Sequence, residues 1–145
     1  TKYNFCKDVN EQMIKKEENI RTTLNEKAKK LEGEMREFER KIQNNGFATR
    51  ERAEQEQARL LKQQQELQQL QQKLAEELAM ENQKNNLEMR DSINSFLKVY
   101  NQTKGYDLII SNAGLDNLLY ANPAFNITNE IVEGLNARYN PSIKK

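Results

Sequence analysis

Residues 38–50 read FERKIQNNGFATR, and this short run decides the architecture. Asn and Gly tolerate the left-handed backbone that ends helices, so Asn44-Asn45-Gly46-Phe47 reads as a helix stop, with Thr49 placed to cap the next helix. Upstream, apolar residues fall at Phe5, Val9, Met13, Ile20, Leu24, Ala28, Leu31, Met35, Phe38 and Ile42. That spacing draws one stripe along a helix of about 40 residues, roughly 60 Å long. Downstream, Ala53, Leu60, Leu67, Leu70, Leu74, Leu78, Met89, Ile93, Phe96 and Tyr100 draw a second stripe, on a helix expected from Arg50 to about Lys104. A tip confined to residues 44–49 between two long amphipathic helices predicts an antiparallel hairpin. With the turn centred near Gly46, Leu31 comes opposite Lys62 and Phe5 opposite Glu88.

Composition agrees with this reading. Of 145 residues, 31% are charged and 36% hydrophobic, with 5 Gly and 2 Pro, so a large globular core is excluded while a solvated helix pair needs only a narrow buried stripe. Both prolines lie after residue 105. The net charge is +1 with the signs interspersed, which describes a solvated helix surface rather than a cationic stripe for nucleic acid. No apolar run of about 18 residues offers a membrane span.

The chemistry is narrowed as well. With no His, there is no imidazole to activate a Ser or Cys nucleophile and none to bind a metal. The single Cys6 forms no intrachain disulfide or Cys-pair zinc site, and its place on the first stripe makes it a small buried apolar residue. No Gly-Lys phosphate loop occurs. Hydrolysis through paired carboxylates stays open to the 22 Asp and Glu, but nothing in the sequence places two of them in a pocket, so the chain is read as a non-enzyme without catalytic residues, cofactor or metal.

Two features weaken the helices. Gly33 lies mid-helix, and Asn82-Gln83-Lys84-Asn85-Asn86 leaves a gap in the second stripe; either is a candidate hinge. Between Gln55 and Gln72, nine of eighteen residues are Gln. Leu60, Leu67 and Leu70 keep helical spacing through that tract, so it reads as helix with uncharged, hydrogen-bonding flanks.

Composition changes at Gly105, giving two expected segments: 1–104, the hairpin, and 105–145, a small unit. In the second, Tyr106–Ser111 and Leu118–Ala121 read as antiparallel strands, and a helix capped by Thr128 should present Ile131, Val132, Leu135 and Tyr139 inward, with Pro141 closing it. The fold class is thus α+β and predominantly α. About 40 residues bury too little surface to stand alone. The second helix also overhangs the first, leaving Ser92–Lys104 without a partner from this chain, so the small unit is expected to oligomerise and a strand before Thr1 to be missing.

Long helix, short tip, longer helix, then Gly105-Tyr106-Asp107-Leu108-Ile109-Ile110, Leu119-Tyr120 and Phe125-Asn126-Ile127-Thr128-Asn129-Glu130-Ile131-Val132-Glu133-Gly134-Leu135-Asn136 resembles the Skp/OmpH family of periplasmic chaperones. The resemblance implies a homotrimer in the periplasm of a Gram-negative bacterium, whose small β body holds helical arms around a cavity that shields unfolded outer-membrane proteins without ATP. It places Tyr106, Leu108, Ile110, Leu119, Tyr120, Ile127 and Leu135 in the oligomeric body. Phe47, Leu60 and Leu61 are the candidate client-binding residues; adjacent leucines diverge by about 100° on a helix, so Leu60 and Leu61 cannot both face the first helix. The near-zero charge departs from the strongly basic family members and weakens any attraction to a membrane surface. The competing reading is a coiled-coil tether without a client.

Overall fold

A computed structural model describes residues 2–111, 118 and 120–139. Its elements are α1 (Asn4–Gln43), α2 (Arg50–Lys104), a single 3-10 turn (Pro123–Phe125) and α3 (Thr128–Arg138). Contacts group them into two units: a hairpin unit spanning Gln12–Asn82, and a terminal unit drawn from the chain's two ends, up to Glu11 and from Gln83 onward.

The hairpin unit is built on the tip chemistry. The Gly46 N–H donates to the Lys41 carbonyl at 2.7 Å and the Asn45 N–H to the Ile42 carbonyl at 3.3 Å, with Asn45 at φ 51°. This pair of bonds with a left-handed residue between them is the Schellman stop, which satisfies carbonyls that α1 leaves open. Thr49 then accepts from the Arg52 N–H at 3.2 Å through its hydroxyl and starts α2. Glu34 meets Arg59 across the hairpin at 2.7 Å and Lys16 pairs with Glu81, close to the expected register.

Two helices shield only one stripe, and among the described residues of this unit Leu60 alone is buried. Ile20, Leu24, Leu31, Leu67, Leu70 and Leu74 are half-buried. The remaining surface is held by pairs such as Arg36 with Glu32 (2.9 Å), Arg50 with Glu54 (2.8 Å) and Arg40 with Glu37 (2.7 Å). Water screens exposed pairs of this kind, so each adds little to stability.

Gly33 is a helix interior position where an added Cβ meets nothing within 4 Å. Gly33→Ala therefore removes the glycine's entropic cost without a clash, and should stabilise the hairpin by about 0.5–1 kcal/mol. Thermal unfolding followed by far-UV circular dichroism checks this; a lower midpoint would contradict the open surroundings of Gly33.

In the terminal unit, Tyr3, Phe5 and Leu135 form a buried cluster, with Cys6, Val9, Met89, Ile93, Phe96, Ile131 and Tyr139 packed around it. The overhang of α2 is thus covered by the chain's own α3, not left bare as expected. The covering works because α3 is short and carries Gly134, whose missing side chain admits the Phe96 ring: a Cβ there would stand 2.2 Å from Cζ of Phe96. Asn136 adds a polar clamp. Its side-chain oxygen accepts from the Asn4 N–H at 2.8 Å and its amide donates to the Lys2 carbonyl at 3.0 Å, so α3 caps the N-terminus of α1. Lys104 with Glu130 (2.6 Å), Arg138 with Ser95 (3.2 Å) and Tyr139 with Asp8 (2.9 Å) complete the seat.

Three expectations are corrected. The β body is not found: among the described residues there is no strand. A strand is a property of a pair, and Tyr106 instead exchanges both backbone groups with the Asn101 side-chain amide, at 2.7 and 2.8 Å, just after Gly105 turns the chain at φ 68°. Ile93 and Phe96 of the overhang Ser92–Lys104, expected to lack a partner from this chain, pack against the cluster that holds Leu135. The cap of α3 is also displaced: Thr128 is the first helical residue, and Asn126 accepts from its N–H at 3.0 Å. Leu119, Pro141 and the loop 112–117 lie outside the described residues.

Candidate functional site

The expected client-binding residues have different surroundings. Leu60 is 5% exposed and faces α1, whereas Leu61 is 56% exposed, as the 100° divergence of adjacent helical residues requires. Phe47 packs its ring on Phe38 with centroids 5.5 Å apart, so it folds back over the tip and is half-buried. Leu61 instead shares a cleft of about 260 Å³ with Met35, Phe38, Leu60, Gln57 and Gln64, and with Glu39 at its α1 side. Met35 was expected inside the stripe but is 39% exposed here. The reason is shape: one residue of a two-helix stripe is covered only where a partner reaches over it, and near the tip no third layer exists.

Three other clefts run along the hairpin, of about 230, 390 and 480 Å³, and their linings carry more charge: Lys27, Lys30, Glu34 and Glu66 in the first, Glu17 and Arg21 in the second, and Glu37, Lys41, Glu56 and Arg59 among those of the third. Arg59 is fixed between Glu34 and Glu56, each at 2.7 Å. The bond to Arg59 holds the Glu56 carboxyl below the usual range.

The terminal unit presents a different surface. Leu108 is 73% exposed, Tyr120 80% and Phe125 79%, with Ile110 and Leu118 also exposed. Tyr106 stacks on Tyr100 at 6.4 Å, and Ile127 is half-buried. No group of three potential metal ligands converges among the described residues, and none of their helices is long and apolar enough to cross a membrane. Cys6 lies with its Sγ 3.2 Å from Sδ of Met89, and burial raises its thiol.

The family model described as Outer membrane protein (OmpH-like) matches residues 1–135, which takes in both helices of the hairpin and α3 as far as Leu135. The chain belongs to the OmpH-like family. No curated protein and no solved structure matches it. For an OmpH-like chain the residues that sequence reading missed are Gly134 and Asn136, which seat α3. Their signal exists only in three dimensions, in a ring and a helix terminus far away in sequence.

Two tyrosines of this seat give a pH prediction. Burial, reinforced by the bond to Asp8, pushes Tyr139 up to about 12. Burial, followed by the Glu130 carboxylate, does the same to Tyr100, again to about 12; its hydroxyl has no partner in good hydrogen-bonding geometry. An unperturbed tyrosine titrates near pH 10. Because the folded values are raised, the stability contributed by the neutral rings is complete below about pH 10 and is lost as pH rises toward about 12. A tyrosinate absorbance titration should show late groups from Tyr100 and Tyr139, and Tyr139→Phe should remove one of them and flatten the alkaline loss of stability.

Proposed function

We propose that this chain is an ATP-independent holdase chaperone of the periplasm, which binds unfolded outer-membrane β-barrel proteins and keeps them from aggregating. The observation that carries the reading is that a hairpin from the OmpH-like family leaves Met35 and Leu61 open to water beside buried Leu60. A helix pair built only to span distance gains nothing from such residues, whereas a holdase needs several weak apolar contacts, each worth roughly 25 cal/mol per Å² buried. Clients exposing alternate apolar residues can then exchange rapidly among them. Leu61, with Met35, is the binding element; Leu60 supports it from beneath, and Phe47 closes the tip over Phe38.

Assembly as a homotrimer is part of the proposal. The support is the apolar surface at Leu108, Ile110, Tyr120 and Phe125, together with Tyr106, in a unit whose own core is one small cluster. Large apolar residues exposed at this many positions of one small unit are the material of a protein interface. Sedimentation equilibrium should return a three-chain particle. The function is tested by diluting a urea-unfolded β-barrel protein into buffer with the chaperone: light scattering should be suppressed at one trimer per client and stay suppressed without nucleotide. Undiminished scattering at that ratio rejects the holdase reading.

A further inference from the structure

We propose that the cleft around Leu61 is a subsite for uncharged extended polypeptide, selected by the amides of Gln57 and Gln64 rather than by charge. This rests on the holdase reading and names the chemistry that its hairpin would accept.

The cleft's apolar side chains are Met35, Phe38, Leu60 and Leu61, and its α2 side carries Gln57 and Gln64. These two amides stand seven residues apart, two helical turns, and so bracket Leu60 and Leu61 on one side of α2. Each amide offers two donors and an acceptor. That set complements the unpaired N–H and C=O groups of an extended chain, while the apolar residues between the amides receive a side chain.

The charges nearby are already committed. Arg59 is held by Glu34 and Glu56 at 2.7 Å, Lys62 lies 3.8 Å from Glu66, Arg36 lies 2.9 Å from Glu32, and Arg40 lies 2.7 Å from Glu37. Glu39 is the one charged residue in the lining. Three other hairpin clefts have lysine, arginine or glutamate in theirs. A charged segment entering the Leu61 cleft would lose hydration without meeting an available opposite charge, apart from Glu39. A neutral segment would lose little.

The glutamine tract thus acquires a use. At its start it supplies the two cleft amides, and beyond them Gln65, Gln68, Gln69, Gln71 and Gln72 are all exposed, interspersed with charged pairs such as Lys62 with Glu66 and Lys73 with Glu77. Transmembrane strands of β-barrels alternate apolar and small polar residues with few charges, and such a segment fits this chemistry.

The test uses the full chain and a fluorescent, end-blocked decapeptide of alternating Val and Thr, with twins in which two Thr are replaced by Glu or by Lys. Fluorescence anisotropy should show binding of the neutral probe that changes less than about twofold from 50 to 300 mM salt. The Glu twin should bind about fivefold or more weakly, and the Lys twin, which can meet Glu39, should lose less but still bind more weakly than the neutral probe. Leu61→Gln and the pair Gln57→Glu with Gln64→Glu should each weaken the neutral probe about tenfold, with the helical far-UV signal retained. Tighter binding of either charged twin, a steep salt dependence, neutral-probe affinity unchanged in these variants, or no binding by the wild type overturns the inference. Wild-type suppression of aggregation is measured in parallel: if it is present while the variants match the wild type in probe binding, the holdase reading survives and the subsite does not. If suppression is absent, the holdase reading itself fails.

Discussion

Gly134→Val should cost the terminal unit about 1–3 kcal/mol and loosen α3 from α2, because bulk forced into a filled contact displaces its neighbours. The Cβ alone would stand 2.2 Å from Cζ and 2.8 Å from Cε2 of Phe96. The ring cannot simply swing aside. It stacks on Tyr100 with centroids 5.8 Å apart and belongs to the wall around Tyr3, Phe5 and Leu135. Gly134→Ala separates two effects of opposite sign: alanine gains about 1 kcal/mol of helix propensity over glycine, yet it introduces the same collision. A net loss on Gly134→Ala shows that the collision outweighs the gain in propensity. Phe96→Leu removes the ring, so the loss caused by Gly134→Ala should shrink by more than about 1 kcal/mol in that background. All five tyrosines lie outside the hairpin unit and there is no Trp. Urea unfolding followed by tyrosine fluorescence therefore reports on the terminal unit, while far-UV circular dichroism reports chiefly on the long helices. Unfolding curves for Gly134→Val that coincide with the wild type by fluorescence would contradict the packing described.

This contact marks the limit of what a sequence displays. The hairpin was legible because its information is periodic and local: the stripes on α1 and α2, the Asn45-Gly46 stop and the Thr49 cap all sit within a few residues of the backbone they control. The helix after Asn126 was legible for the same reason. Its seat was not. In the sequence Gly134 looks like a defect in an 11-residue helix, and Asn136 like surface polarity; their roles depend on Phe96, Lys2 and Asn4. The strands failed for a related physical reason. Tyr106–Ser111 has strand-like composition, but β propensity describes how a residue fits a paired surface, and Asn101 takes the pairing groups of Tyr106. The proposed binding surface was half legible. Helical geometry split Leu60 from Leu61, but only the packing of Phe47 on Phe38 and the exposure of Met35 show which neighbours join Leu61.

Leu60→Asp and Leu61→Asp, one residue apart, should give opposite results. Leu60 is the buried anchor of the hairpin unit. A carboxylate there would be taken out of water without a partner designed for it, and the leucine's packing would be lost as well, so about 3–5 kcal/mol should disappear and the helical signal should melt early. The nearest fixed charges do not rescue it, since Arg59 already bonds Glu34 and Glu56. Leu61→Asp places the same charge on an open face, where surface substitutions change stability by no more than about 0.5 kcal/mol. Its effect should fall on function: a fixed charge beside Met35 breaks the apolar surface, and retention of an unfolded β-barrel client should decline while the far-UV spectrum and midpoint stay near wild type. Leu61→Asp with full client retention would move the binding element elsewhere on the chain. Leu60→Asp with an unchanged midpoint would mean that the stripe at this level does not hold the helices together. Because the two variants carry the same chemistry at neighbouring positions, a general response to added negative charge cannot produce both outcomes. Only the orientation of each side chain on α2 separates the residue that builds the hairpin from the residue that uses it.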